Sequence, residues 1–330
     1  MRRSALASLA AVAVFAPGLA RAAAEGPKLA LPLACEIGRT CEIQHYVDRD
    51  PGPGARDYRC GHRTYDKHNG VDIRLLDMAA ERRGVDVLAA APGRVARLRD
   101  GVADISVRAP GAPKVDGQEC GNGVVIDHGD GWETQYCHLA KGSVRVKPGD
   151  VVKAGTPIGR VGLSGQTEFP HLHLSVRHAG QMVDPFAPGP DTPGVCGSKV
   201  SMWTPQAAQA LAYKAGVILN SGFAAAPVSN DAIEAGGIAP PTAASAALVI
   251  YMRVAEPQQG DELELVLRGP DGATLATARR PPLDRDMAQY FAMVGRRRPL
   301  TGWARGRYVA ELKVWRAGKP AMSKRVDLVL

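Results

Sequence analysis

The chain has 330 residues, long enough for two domains, with a formal net charge of +8 and only 5% aromatic residues. Few aromatics and a modest basic excess argue against a nucleic-acid binder. The basic cluster near the end (Arg296, Arg297, Arg298, Arg305, Arg307 and Arg316) reads first as a solvated face, although it would also attract an anionic envelope polymer.

Residues 1–22 read as a secretory signal peptide: Arg2 and Arg3 precede a short apolar run, and Ala20-Arg21-Ala22 supplies small residues for cleavage. No later apolar stretch is long enough for a transmembrane helix, so no integral membrane segment is expected after its removal. An exported chain with six cysteines should carry disulfides. Spacing leaves fifteen connectivities open; the expected set is Cys35–Cys41 as a local loop, with Cys60–Cys120 and Cys137–Cys196 tying longer segments. Residues 23–65 form a Cys-rich, Pro- and Gly-rich segment expected to be irregular.

The next unit, residues 66–187, is β-rich. Val71–Leu75, Arg94–Leu98 and Leu172–Arg177 alternate as strands do. Residues 123–128 and 133–139 flank Gly129-Asp130-Gly131 as a hairpin, and 100–121 read as an inserted loop. Pro-Gly and Gly turns break residues 146–162 into short strands of an antiparallel meander. Residues 188–242 shift to Pro, Gly, Ala and Ser and read as a linker, with one short helix over Pro205–Val217. Over 243–330, Leu263, Leu265 and Leu267 share one face, as do Tyr308, Ala310, Leu312 and Val314; about six strands suggest an immunoglobulin-like β-sandwich. The fold class is thus mainly β: an antiparallel sheet domain followed by a sandwich.

Two motifs carry chemistry. In His171-Leu172-His173 the imidazoles point to the same side of a strand, roughly 6.5–7 Å apart. In His68-Asn69-Gly70-Val71-Asp72 the Asn-Gly turn lets the chain bring an imidazole and a carboxylate together. Either motif alone also describes ordinary half-buried histidines or a chance spacing. Together they offer two His and one Asp, the donor set of a catalytic zinc that keeps a fourth position open. A Cys137–His138 nucleophilic pair is disfavoured, because adjacent strand residues face opposite sides. Tyr136, at spacing two from His138, lines the cleft or packs in the core.

Taken in order, His68-x-x-x-Asp72, Tyr136-x-His138-Leu139 and His171-Leu172-His173 resemble the motifs of the lysostaphin-like, or LytM-type, zinc metallopeptidases, which cut peptide cross-links of bacterial peptidoglycan. The resemblance implies one Zn2+ per chain held by His68, Asp72 and His173, and His138 and His171 as catalytic histidines. Its implied partner is the peptidoglycan stem peptide, in the periplasm or outside the cell. His128 is then a structural residue, and His62 and His178 are surface or loop residues. Gln166–Pro170 and Leu174-Ser175 depart from the family pattern around the groove. The rival reading is a non-catalytic LytM-like regulator or binding module for wall hydrolases, which the five intact positions oppose.

Overall fold

A computed structural model describes residues 26–190 and 195–330; the expected signal peptide lies outside them. The first unit contains β1 (Cys41–His45), β2 (Val71–Leu75), α1 (Met78–Arg83), β3 (Asp86–Leu88), β4 (Gly93–Arg99), β5 (Asn122–Gly129), β6 (Trp132–Leu139), β7 (Val151–Val152), β8 (Pro157–Arg160), β9 (His171–His178) and β10 (Gln181–Val183). Eight of these strands form an antiparallel sheet in the order β1-β2-β9-β6-β5-β4-β7, with β10 paired to β9.

Strand alternation gives this sheet two different faces. Val71, Ile73 and Leu75 of β2, and Leu172, Leu174 and Val176 of β9, enter one apolar core. Asp72 and Arg74, and His171, His173, Ser175 and Arg177, therefore fall on the opposite face. The register sets Asp72 opposite His173 and Arg74 opposite His171. The core is closed from below by Val87, Ile158, Leu29, Leu33, Trp203 and Leu211.

The segment 23–65 is not irregular throughout. β1 is the edge strand of the main sheet, because Cys41 and Ile43 supply apolar residues at strand spacing and bury in the core. The disulfides are Cys35–Cys41, as expected, Cys60–Cys196 and Cys120–Cys137, leaving no free cysteine. The two expected long-range pairings are thus exchanged. The reason lies in the β5–β6 hairpin: Gly121, at φ +62°, turns the chain back so that the Cys120 carbonyl accepts the His138 N–H, and this sets Cys120 beside Cys137.

The stretch expected as a linker holds three elements: α2 (Pro205–Ala210), β11 (Val217–Ala224) and α3 (Asn230–Ala235). Thr204 caps α2 by accepting from the Ala207 N–H, and the helix ends before Leu211, which is buried. β11 then joins β12 (Ala247–Ala255) and β15 (Gln289–Arg297) in a three-stranded sheet. β13 (Glu262–Arg268), β14 (Thr274–Arg279), β16 (Arg307–Arg316) and β17 (Lys319–Val329) form a four-stranded sheet in the order β14-β13-β16-β17. Both sheets feed one apolar core, in which Leu248, Ile250, Met252 and Val254 meet Leu263, Leu265, Leu267 and Leu312.

The two units are joined by buried polar contacts. Arg74 of β2 and Arg253 of β12 converge on Glu234 of α3. Arg253 also donates to the Leu76 carbonyl, as does the Asn220 amide. Both guanidiniums are fully buried, so the Glu234 carboxylate is what makes their burial tolerable.

Candidate metal centre

The two strand motifs and the turn between His68 and β2 converge. His68 Nε2 lies 3.3 Å from His173 Nδ1 and 3.2 Å from Asp72 Oδ2, and His173 Nδ1 lies 2.8 Å from Asp72 Oδ1. Donors about 2.0–2.1 Å from a tetrahedral zinc stand about 3.3 Å apart, so these edges suit one ion.

The outer nitrogens decide the chemistry of this cluster. His68 Nδ1–H donates to the Tyr46 carbonyl at 2.6 Å. His173 Nε2 faces Asn69 Oδ1 at 3.1 Å and Ser175 Oγ at 3.0 Å. With His68 Nδ1 and His173 Nε2 engaged on the far side, the opposite nitrogen of each ring is left facing the Asp72 carboxylate, where it can ligate an ion. Three such groups facing one point suit a cation. The three residues His68, Asp72 and His173 are capable of coordinating a divalent metal. Asp72 is buried, which opposes its charge, yet the surrounding imidazoles hold its carboxyl well below the usual range.

Gly70 permits the closeness of the set. A Cβ at this position would stand 2.5 Å from His173 Nε2 and 2.8 Å from the Leu174 carbonyl oxygen.

His138 and His171 sit beside the cluster, with ring centroids 4.6 Å apart. His171 is where strand alternation puts it. His138 is not: alternation from Tyr136 would send it into the core. Its backbone takes φ +63°, a left-handed conformation costing about 1–3 kcal/mol for a non-glycine residue, and this swings the ring onto the face of Cys137. Tyr136 therefore lines no cleft. It is fully buried, and its hydroxyl accepts the Ala90 N–H at 2.7 Å. Cys137 is closed in its disulfide and forms no pair with His138.

His138 Nδ1–H donates to the Ser164 carbonyl at 2.8 Å, and His171 Nδ1–H to the Phe169 carbonyl at 2.9 Å. Both rings keep Nε2 free of a proton. Burial and the neighbouring imidazoles hold His138 well below its ordinary range; burial, against the pull of Asp72, lowers His171 to about 4.

A groove of about 390 Å³ runs past His68, His138 and His173, lined among others by Tyr65, Lys67, Glu119, Gln135, Gln166 and Arg177. Residues 66–185 match the family model of peptidase family M23. That stretch carries the M23 metallopeptidase fold. The cell division protein DipM of Caulobacter vibrioides is 31% identical over 125 residues, 38% of this chain and 17% of that protein. The DD-carboxypeptidase/endopeptidase Mpg of Neisseria meningitidis is 41% identical over 78 residues, 22% of this chain and 16% of that protein. This chain therefore spans about a sixth of the length of these curated relatives. Among solved structures, the catalytic domain of the prophage-encoded M23 protein EnpA from Enterococcus faecalis is 25% identical, with a TM-score of 0.32 over 48% of this chain and 95% of that one.

The remaining histidines divide in two. His128 Nδ1 faces the Pro92 carbonyl and Nε2 the Thr134 hydroxyl, a structural bridge in the M23-type unit. His62 is exposed, 3.7 Å from Asp286, and His178 stacks on Trp132. His45 escaped the sequence reading. Its Nδ1 lies 3.1 Å from Asp72 Oδ2 and its Nε2 3.6 Å from Glu256 Oε1. Burial opposes charge on this ring, but the hydrogen bonds and charges of Asp72 and Glu256 raise it to about 9. Its one sequence signal is its place at the end of an apolar-alternating strand, which gives no hint of a partner.

Proposed function

We propose that this chain is an exported zinc endopeptidase that hydrolyses peptide cross-links of bacterial peptidoglycan. The observation that carries the reading is the convergence of two imidazole nitrogens and a carboxylate next to two further imidazoles whose Nδ1–H groups are held by backbone carbonyls. When bound, the ion supplies a Lewis acid that lowers the pKa of water to about 7 and polarises a carbonyl.

In this reading His68, Asp72 and His173 hold the Zn2+, and His138 and His171 do the proton work. Each is neutral at pH 7 and offers Nε2 as an acceptor to the attacking water. The ring that takes the proton becomes a donor, able to stabilise a developing oxyanion or to pass the proton to the leaving amine. The carbonyls of Ser164 and Phe169 fix both rings in this tautomer, so no reorientation is needed before reaction. The groove, open and lined by polar side chains, suits an extended peptide. Export is supported by the N-terminal sequence and by three disulfides. The strand order of the C-terminal unit, with β13 joining β14 rather than the β11–β12–β15 sheet, supports reading that unit as an immunoglobulin-like sandwich.

The test is metal content and digestion of purified sacculi by the chain lacking residues 1–22, compared with His173→Ala. Zinc at one per chain and release of cross-link fragments, both lost in the variant, are expected. Equal zinc and equal digestion in the two would refute the assignment; no hydrolysis with tight binding to another wall hydrolase would favour the regulator.

A further inference from the structure

The seam between the two units has two parts that differ in where they lead. Arg74, Arg253, Glu234 and Asn220 tie backbone and charge together without touching a ligand atom. The other part ends on Asp72. A register shift between Ile43 and His45 brings His45 opposite Asp72, on the edge strand. From the other side comes Glu256, the residue after β12. Its backbone is left-handed at φ +56°, and its N–H is held by the Ala288 carbonyl. That turn points its carboxylate back at β1, where Gln44 Nε2 donates to Oε1 at 3.1 Å and His45 Nε2 lies 3.6 Å away.

Asp72 is the one carboxylate of the ligand cluster. The torsion that sets the plane of its two oxygens is broad and soft. Oδ1 faces His173 at 2.8 Å, while Oδ2 is shared between His68 at 3.2 Å and His45 at 3.1 Å. The His45 contact therefore braces the carboxylate plane from outside the cluster, and the Glu256 carboxylate faces the far nitrogen of the His45 ring at 3.6 Å. Ligating groups depend on such outer partners for their orientation.

We propose that Glu256, carried by the C-terminal unit, acts through His45 as a positioning residue for the Asp72 carboxylate, so that this unit is part of the metal centre; the inference rests on the metallopeptidase reading. The experiment uses the whole chain and Zn2+ itself, with affinity measured by competition against a chromophoric chelator and kcat and KM measured on sacculi. Glu256→Ala and His45→Ala are expected to weaken Zn2+ binding about 10–100-fold and to lower kcat more than they raise KM. Glu256→Gln keeps an acceptor oxygen for His45 and should recover most of the affinity. Asn220→Ala cuts the same seam away from Asp72 and should leave Zn2+ affinity at the wild-type value. An Asn220→Ala chain that loses Zn2+ as Glu256→Ala does, or a Glu256→Ala chain that binds as wild type does, overturns the inference. A wild-type chain that takes up no Zn2+ overturns the metallopeptidase reading itself, which is a separate result.

Discussion

Replacing Gly70 by alanine should disable the metal centre without altering any ligand. The backbone at Gly70 lies outside the left-handed region, so alanine meets no conformational penalty there. What it meets is contact. The new methyl would stand 2.5 Å from His173 Nε2, 2.6 Å from its Cε1 and 2.8 Å from the Leu174 carbonyl oxygen, where ordinary contact begins at 3.4 Å. The shortfall is about 0.9 Å against the ring. The ring cannot simply slide away, because Nδ1 is held at Asp72 and Nε2 at Asn69 and Ser175. The carbonyl belongs to the paired strand β9 and is equally fixed. Overpacking of this kind costs about 1–3 kcal/mol of stability, and a ligand displaced by about 1 Å costs on the order of 100-fold in rate. Chelator competition for Zn2+, sacculus digestion and thermal unfolding of the metal-free chain measure the three effects. A Gly70→Ala chain with wild-type zinc affinity and wild-type rate would show that the close approach of Gly70 to His173 has no role.

Other expectations concern different parts of the molecule. His138→Ala and His171→Ala should each retain one Zn2+ yet lose about 10²–10⁴-fold in kcat; loss of zinc from either chain would make it a ligand instead. Asp184 is raised by burial to about 6, from an ordinary value of 3.8. Between those values the folded chain binds more protons than the unfolded one, so stability falls as pH rises from about 4 to 6, by up to about 3 kcal/mol. Asp184→Asn should remove that slope, read as the difference between wild-type and variant urea unfolding across this range; parallel curves would exclude it. Cys60 and Cys196 are 136 residues apart in sequence. Replacing both by serine should cost about 2–5 kcal/mol, with a lowered denaturation midpoint.

The candidate metal cluster is legible in the sequence because its geometry is local. His171 and His173 share a strand face by period alone, and three residues beginning with Asn-Gly join His68 to Asp72. The strands bearing them read well for the same reason: Leu172, Leu174 and Val176 mark the core side of β9. His138 was placed correctly near the cluster only through the family pattern, since its left-handed backbone breaks the alternation on which a strand reading depends. β11 hid inside an apparent linker because Asn220-Ser221-Gly222 interrupts its apolar residues and a bulge shifts its register. His45 could not be read at all. Its partners Asp72 and Glu256 come from two other elements, and only the packed tertiary structure brings them to one ring.

The way both flanks wrap the main sheet bears on how the molecule can be dissected. Leu29 hydrogen-bonds to Met202 and bridges to Trp203, while Ala30 bonds to Ala90. A fragment trimmed to the family match at 66–185 would be stripped of β1 and would uncover the apolar underside now shielded by Leu29, Leu33, Tyr46, Trp203 and Leu211. Burying each such large side chain contributes about 1.5–3 kcal/mol, and their combined loss, about 8–15 kcal/mol, is as large as the whole stability of a typical domain. Excision by homology would thus yield an aggregating polypeptide, and the folded unit around the candidate metal centre is physically larger than the segment that matches the family model.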